Sequence, residues 1–154
     1  MMLSKKTKYA LKALLALAKE YGHGPMLISG LARREGIPKK FLEQILLELK
    51  NKGILRSVRG KGGGYMLGKP PEVITFGEVV RLMEGPLAPL PCTSHSSYRR
   101  CEECGDEEAC GIRSVMKEVR DETSRILDRN SLANVLKEVE IASQRIKNVL
   151  MYNI

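Results

Sequence analysis

The stretch Arg59-Gly60-Lys61-Gly62-Gly63-Gly64 constrains this chain more than any other. It lies between two short strand-like runs, Ile54-Leu55-Arg56-Ser57-Val58 and Tyr65-Met66-Leu67, and so reads as a β-hairpin with a flexible, cationic tip. Ahead of it the apolar residues fall at helical spacing. Ala10, Leu11, Leu14, Leu15, Leu17 and Ala18 predict a first helix over 5–21, stopped by Gly22-His23-Gly24-Pro25. Ile28, Leu31 and Ala32 predict a short second helix ending at Gly36, where a missing side chain suits the left-handed conformation. Pro38 is expected at the first position of a third helix, whose buried stripe is Phe41, Leu42, Ile45, Leu46 and Leu49 and which closes at Asn51-Lys52-Gly53.

Downstream, Thr75-Phe76-Gly77-Glu78 predicts a capping box, with Thr75 closing the start of a fourth helix and Glu78 bonding back; the helix runs to about Glu84. Residues 85–111 are rich in Pro, Cys, Gly and acidic side chains without any period, which marks a long loop. From Ile112 the series Val115, Met116, Val119, Ile126, Leu127 predicts a long amphipathic helix of about four turns. A second begins after Asn130-Ser131 with Leu132, Val135, Leu136, Val139, Ile146, Val149 and Leu150. The expected fold is mainly α with a small β-hairpin wing, a winged helix-turn-helix followed by a long dimerisation helix. The expected parts are a DNA-binding unit over 1–84, a cysteine-rich cofactor loop over 85–111 and dimerisation helices over 112–154.

Helix, turn, helix and hairpin in that order place the third helix in a DNA major groove and the wing on the flanking backbone or minor groove. Charge agrees. Residues 1–70 hold 15 basic and 4 acidic side chains, while 71–154 hold 11 and 14. A half this basic attracts a polyanion, and double-stranded DNA is the expected one. Off the apolar stripe of the third helix, Lys39 and Lys40 suit phosphates, while Gln44 and Glu43 suit adenine and cytosine edges. On the wing, Arg59 and Lys61 lie where a tight glycine turn brings them to the duplex, Arg59 being suited to a narrow minor groove. A solvated charged face is the plainer alternative. A nucleotide site is not expected at the glycine run, since no Lys-Ser or Lys-Thr pair follows and Tyr65 stands at the last glycine position of a dinucleotide fingerprint.

Cys92, Cys101, Cys104 and Cys110 are separated by eight, two and five residues, and the Cys101/Cys104 pair has the reach to chelate one ion. Four thiolates complete a ligand set for an iron-sulfur cluster, and zinc is the alternative that spacing leaves open. His95 is read as an exposed loop histidine and His23 as structural. No nucleophile, base and acid can be assembled, so no enzyme is expected. No apolar run approaches the ~20 residues of a membrane span, and a cytoplasmic, membrane-free protein is expected.

The runs Phe41-Leu42-Glu43-Gln44, Val58-Arg59-Gly60-Lys61-Gly62-Gly63-Gly64-Tyr65 and Ile74-Thr75-Phe76-Gly77-Glu78 resemble the signature segments of the Rrf-two (Rrf2) family of winged helix-turn-helix regulators, over about Leu3 to Arg120. The resemblance implies a homodimer joined by a long helix starting near Gly111, and a pseudo-palindromic operator read by the third helix and the wing. It also implies a three-cysteine cluster set, matched by Cys92, Cys104 and Cys110. The fourth-ligand positions differ: the histidine of IscR-like members is Arg113 here, and the aspartate of NsrR-like members is Lys8. Cys101 is therefore the first choice for the fourth ligand, ahead of Glu107 or Glu108. The expected function is a sequence-specific transcriptional repressor controlled by an iron-sulfur cluster or another redox or metal signal. The alternative keeps the DNA binding and makes the loop a structural zinc site or a thiol switch.

Overall fold

A computed structural model describes residues 2–153. The chain runs α1 (Lys5–Lys19), α2 (Ile28–Glu35), α3 (Lys39–Asn51), β1 (Leu55–Val58), β2 (Gly64–Leu67), α4 (Phe76–Glu84), α5 (Gly111–Arg129) and α6 (Leu132–Tyr152), with one 3-10 turn at Pro91–Thr93 inside the long loop. The mainly helical architecture with its two-stranded wing is the one the sequence predicts.

Helix α1 starts where the Ser4 hydroxyl accepts from Thr7 N, and it is the centre of the core, packing against α2, α3, α4, α6 and β2. Its small residues Ala10, Ala13 and Ala16 let neighbouring helices approach closely, while Leu14 and Leu17 fill the space between them. Helix α3 buries Leu42, Ile45, Leu46 and Leu49 on one stripe. Full burial of each such side chain contributes about 1.5–3 kcal/mol. Pro38 is the cap residue and the helix begins one position later than expected, at Lys39, because the extended ψ of 126° at Pro38 keeps that residue outside the first turn.

Strands β1 and β2 are antiparallel, with Leu55 opposite Leu67 and Val58 opposite Gly64. Met26 adds a third backbone partner: its N–H and C=O exchange hydrogen bonds with Tyr65 at 2.8 and 2.9 Å. This close approach explains the glycine run better than flexibility does. A Cβ on Gly64 would lie 2.0 Å from the Met26 carbonyl oxygen, and one on Gly63 would lie 2.2 Å from that of Val58.

Thr75 caps α4 by accepting from Glu78 N at 3.1 Å, but the reciprocal half of the capping box does not form. Glu78 instead takes the ammonium of Lys69 at 2.7 Å. The backbone around Thr75 pairs with the α5–α6 junction, where Phe76 N donates to Asn130 O, Leu132 N donates to Ile74 O, and Leu132 is fully buried. The junction is thereby built into the core. Beyond it α5 and α6 are open: α5 has no buried residue, α6 buries only Leu132, and Ile112, Val115, Val119, Val139, Ile146 and Val149 are exposed.

Candidate nucleic-acid interface and cysteine site

At 3.6 residues per turn, Lys39, Lys40, Glu43, Gln44 and Leu47 share an arc of about 140° on α3, opposite the buried stripe. Lys39, Lys40, Glu43 and Gln44 are exposed, and their side chains have no hydrogen-bond or ion-pair partner among the described residues. Glu48, by contrast, is bound to Lys6 of α1. Leu47, half exposed at the centre of the same arc, escapes a reading that assigns leucines of an amphipathic helix to its core. Arg59 and Lys61 are exposed at the wing tip, where Gly63 N donates to Gly60 O and closes the turn. The structure thus presents the six predicted DNA-contact side chains on two surfaces, the outer face of α3 and the tip of the hairpin.

The cysteine site is built from both ends of the long loop. Cys92 sits buried in the 3-10 turn, which Thr93 holds by donating from N and Oγ1 to Leu90 O. Cys110 is the cap residue of α5, and its sulfur accepts from Arg113 N at 3.5 Å. That backbone donor, first among its surroundings, holds the Cys110 thiol below its ordinary pKa, as helix N-termini do for anions. Cys104 Sγ donates to Asp106 O at 3.3 Å, and desolvation first, then neighbouring Cys110, raises its thiol. Cys101 is exposed and linked to Cys104 by a turn in which Cys104 N donates to Cys101 O at 3.3 Å.

All four thiols are free, and all four line one cavity of 210 Å³, together with Glu107 and Arg113. Among the described residues no three ligating side chains already stand close enough to grip a metal. The donor set nonetheless fits a thiophilic metal or cluster: four sulfurs on one cavity, one of them with a depressed pKa. The two glutamates are otherwise engaged. Glu107 accepts from Tyr98 OH at 2.7 and 2.8 Å, and Glu108 pairs with Arg113 at 3.2 Å while its side chain points to solvent, 85% exposed. His95 is exposed, 3.8 Å from Asp121 and away from the cysteine cavity. Arg113, seen in the sequence only as an absent histidine, proves to be a structural member of the site. It donates to Cys92 O and Glu107 O, both at 3.4 Å.

A helix-turn-helix whose second helix presents an arc of unpaired polar side chains, followed by a glycine-tipped wing, defines the class of winged helix-turn-helix DNA-binding regulators. Within that class, a profile of the Rrf2 family, described as iron-dependent transcriptional regulators, matches residues 3–138, and the chain belongs to this family. It is 46% identical over 138 residues to an rrf2-like HTH-type transcriptional regulator of Rhodobacter capsulatus, covering 88% of this chain and 92% of that one. Among solved structures it resembles CymR, the global cysteine regulator of B. subtilis. The TM-score is 0.75 at 30% identity, over 90% of this chain and 98% of that one. It also resembles T. potens IscR, with a TM-score of 0.73 at 30% identity over 92% and 90% of the two chains.

Proposed function

We propose that this transcriptional regulator binds a DNA operator as a homodimer and represses through it, and that a metal or iron-sulfur centre held by the cysteine loop sets its affinity. The observation that carries the reading is the convergence of all four cysteines on one cavity at the foot of α5, the helix whose apolar stripe is uncovered. Lys39 and Lys40 contact phosphates near the start of α3, Glu43 and Gln44 read base edges, and Leu47 offers an apolar contact to a thymine methyl. Arg59 and Lys61 carry the wing to the neighbouring groove. Exposed Val115 and Val119 on α5, with Val139 and Ile146 on α6, form the face that a second copy covers.

Cys92, Cys104 and Cys110 are the ligands of first choice, with Cys101 the fourth, since Glu107 and Glu108 are held by Tyr98 and Arg113. An iron-sulfur centre bound there supplies a group whose oxidation, nitrosylation or loss can be sensed. The chain's own part is to join the loop to α5 through Cys110 and Arg113, so that loop packing and helix position are coupled. A coupling of about 1–3 kcal/mol would shift operator affinity about 5- to 150-fold. The test is operator binding by loaded and metal-stripped protein at one salt concentration; equal affinities would remove the control while leaving the DNA binding.

The cavity that Cys104 and Cys110 share favours a second reading, in which these two thiols lose two protons and two electrons to an external oxidant, form a disulfide and act as a thiol switch without a cluster. Metal analysis separates the two, and a structural zinc site would show in the same measurement.

A further inference from the structure

We infer that Arg113 and Arg120 form a two-arginine clamp that seats the Cys92-bearing turn on α5 and fixes one wall of the cysteine cavity before any ligand enters. The two residues are seven apart, about two turns, and so share a face of α5 to within about 20°. Their side chains are only 13% and 12% exposed, on a helix that has no fully buried residue. Arg113 Nε donates to the Cys92 carbonyl at 3.4 Å, and Arg120 Nη1 donates to the next carbonyl, that of Thr93. Carbonyls at the end of a single 3-10 turn have no partner further along the turn, and the two guanidiniums supply donors at just those positions.

Arg113 also reaches the other arm of the loop. Its Nη1 lies 3.4 Å from Glu107 O and 3.2 Å from the Glu108 carboxylate, while its backbone N–H donates to the Cys110 sulfur. One side chain therefore holds the Cys92 arm and the Glu107–Cys110 arm together. The forked guanidinium suits this task; an ammonium, being a single point of charge, cannot span acceptors on both arms with fixed geometry. Arg120 is steadied in turn by Asp121 at 2.7 Å. Both arginines act as positioning residues, placing Cys92 rather than ligating anything. Only the benefit to ligand binding rests on the proposed ligand set; the clamp itself is a property of the metal-free chain.

The test is alkylation of the full-length, metal-free protein by iodoacetamide, followed at each cysteine by peptide mass spectrometry. Arg113→Ala with Arg120→Ala should raise the Cys92 rate on the order of tenfold by local opening, while exposed Cys101 stays within about twofold of its wild-type rate. Arg113→Lys with Arg120→Lys should restore only part of the Cys92 protection. An unchanged Cys92 rate in the double alanine variant at an unchanged melting temperature would overturn the clamp. Should that variant fail to fold, Arg113→Gln alone is read in the same way, with a smaller rise at Cys92 expected and no rise counting against the clamp. Metal content of the wild-type protein is measured separately. A metal-free wild type would dismiss the ligand set and leave the clamp to be judged by labelling alone.

Discussion

Residues 5–84 and the helices after residue 111 carry the same kind of amphipathic pattern and meet opposite fates. In the first region α1, α2, α3 and α4 each turn their apolar stripe onto a neighbour, so that Leu14, Leu31, Leu46 and Val80 are fully buried. In the second, α5 has no fully buried residue and α6 has only the one that docks at its start. A 3.6-residue period establishes that a stripe exists; what covers it depends on what the rest of the chain offers. The first region closes its core with the help of Leu132 from the start of α6, whereas the second leaves an apolar surface exposed and a cavity lined by four free thiols.

The largest expected effect that would break this contrast lies in the core. Leu46→Ala should lower unfolding stability by about 2–5 kcal/mol in chemical denaturation, and a loss below ~1 kcal/mol would mean that the first region is less tightly closed than its burial indicates. Next, Val119→Asp on α5 should weaken self-association by about 2 kcal/mol or more in analytical ultracentrifugation while leaving the circular dichroism of the DNA-binding unit unchanged. An intact dimer would place the partner face elsewhere. Arg59→Ala should weaken operator binding and reduce the slope of log affinity against log salt by about one, as expected when one cation leaves the DNA. Unchanged affinity would count against the wing.

The smallest effect concerns the joint between the regions. Arg81 of α4 holds Asp128 of α5 in a fork at 2.6 and 2.7 Å, packed so tightly over Gly77 that a Cβ there would lie 1.9 Å from Asp128 Oδ1. The hydrogen bond from Arg81 holds the Asp128 carboxyl below its ordinary pKa. The resulting stability is present above the ordinary aspartate range and is lost as pH falls through the depressed value. Both side chains are about half exposed, so the fork contributes only about 0.5–1 kcal/mol. Asp128→Asn should remove that amount at neutral pH and flatten the acid limb of the stability curve accordingly.

The stripes, the wing and the cysteine loop were legible in the sequence because each depends on local spacing or composition. Gly36 takes the left-handed conformation at the end of α2, and Ser131 caps α6, at the positions their chemistry predicts. What the sequence hid were partners brought together by tertiary structure. Met26 pairs with Tyr65 as a single extended residue with no alternation to betray it. Glu78 fits a capping box locally, but Lys69 comes within reach and takes its carboxylate. Leu47 is masked by the leucines beside it, and Arg113 shows its role only when both arms of a loop, the carbonyls of Cys92 and Glu107, return to one guanidinium.

The most direct test of the proposed control is the iron, sulfide and zinc content per subunit, with a visible absorption spectrum, of protein purified without oxygen. Iron with matching sulfide, lost in a Cys104→Ser variant that still folds, is the predicted result. No metal after anaerobic reconstitution would contradict the cluster reading and leave a DNA-binding regulator whose signal enters elsewhere.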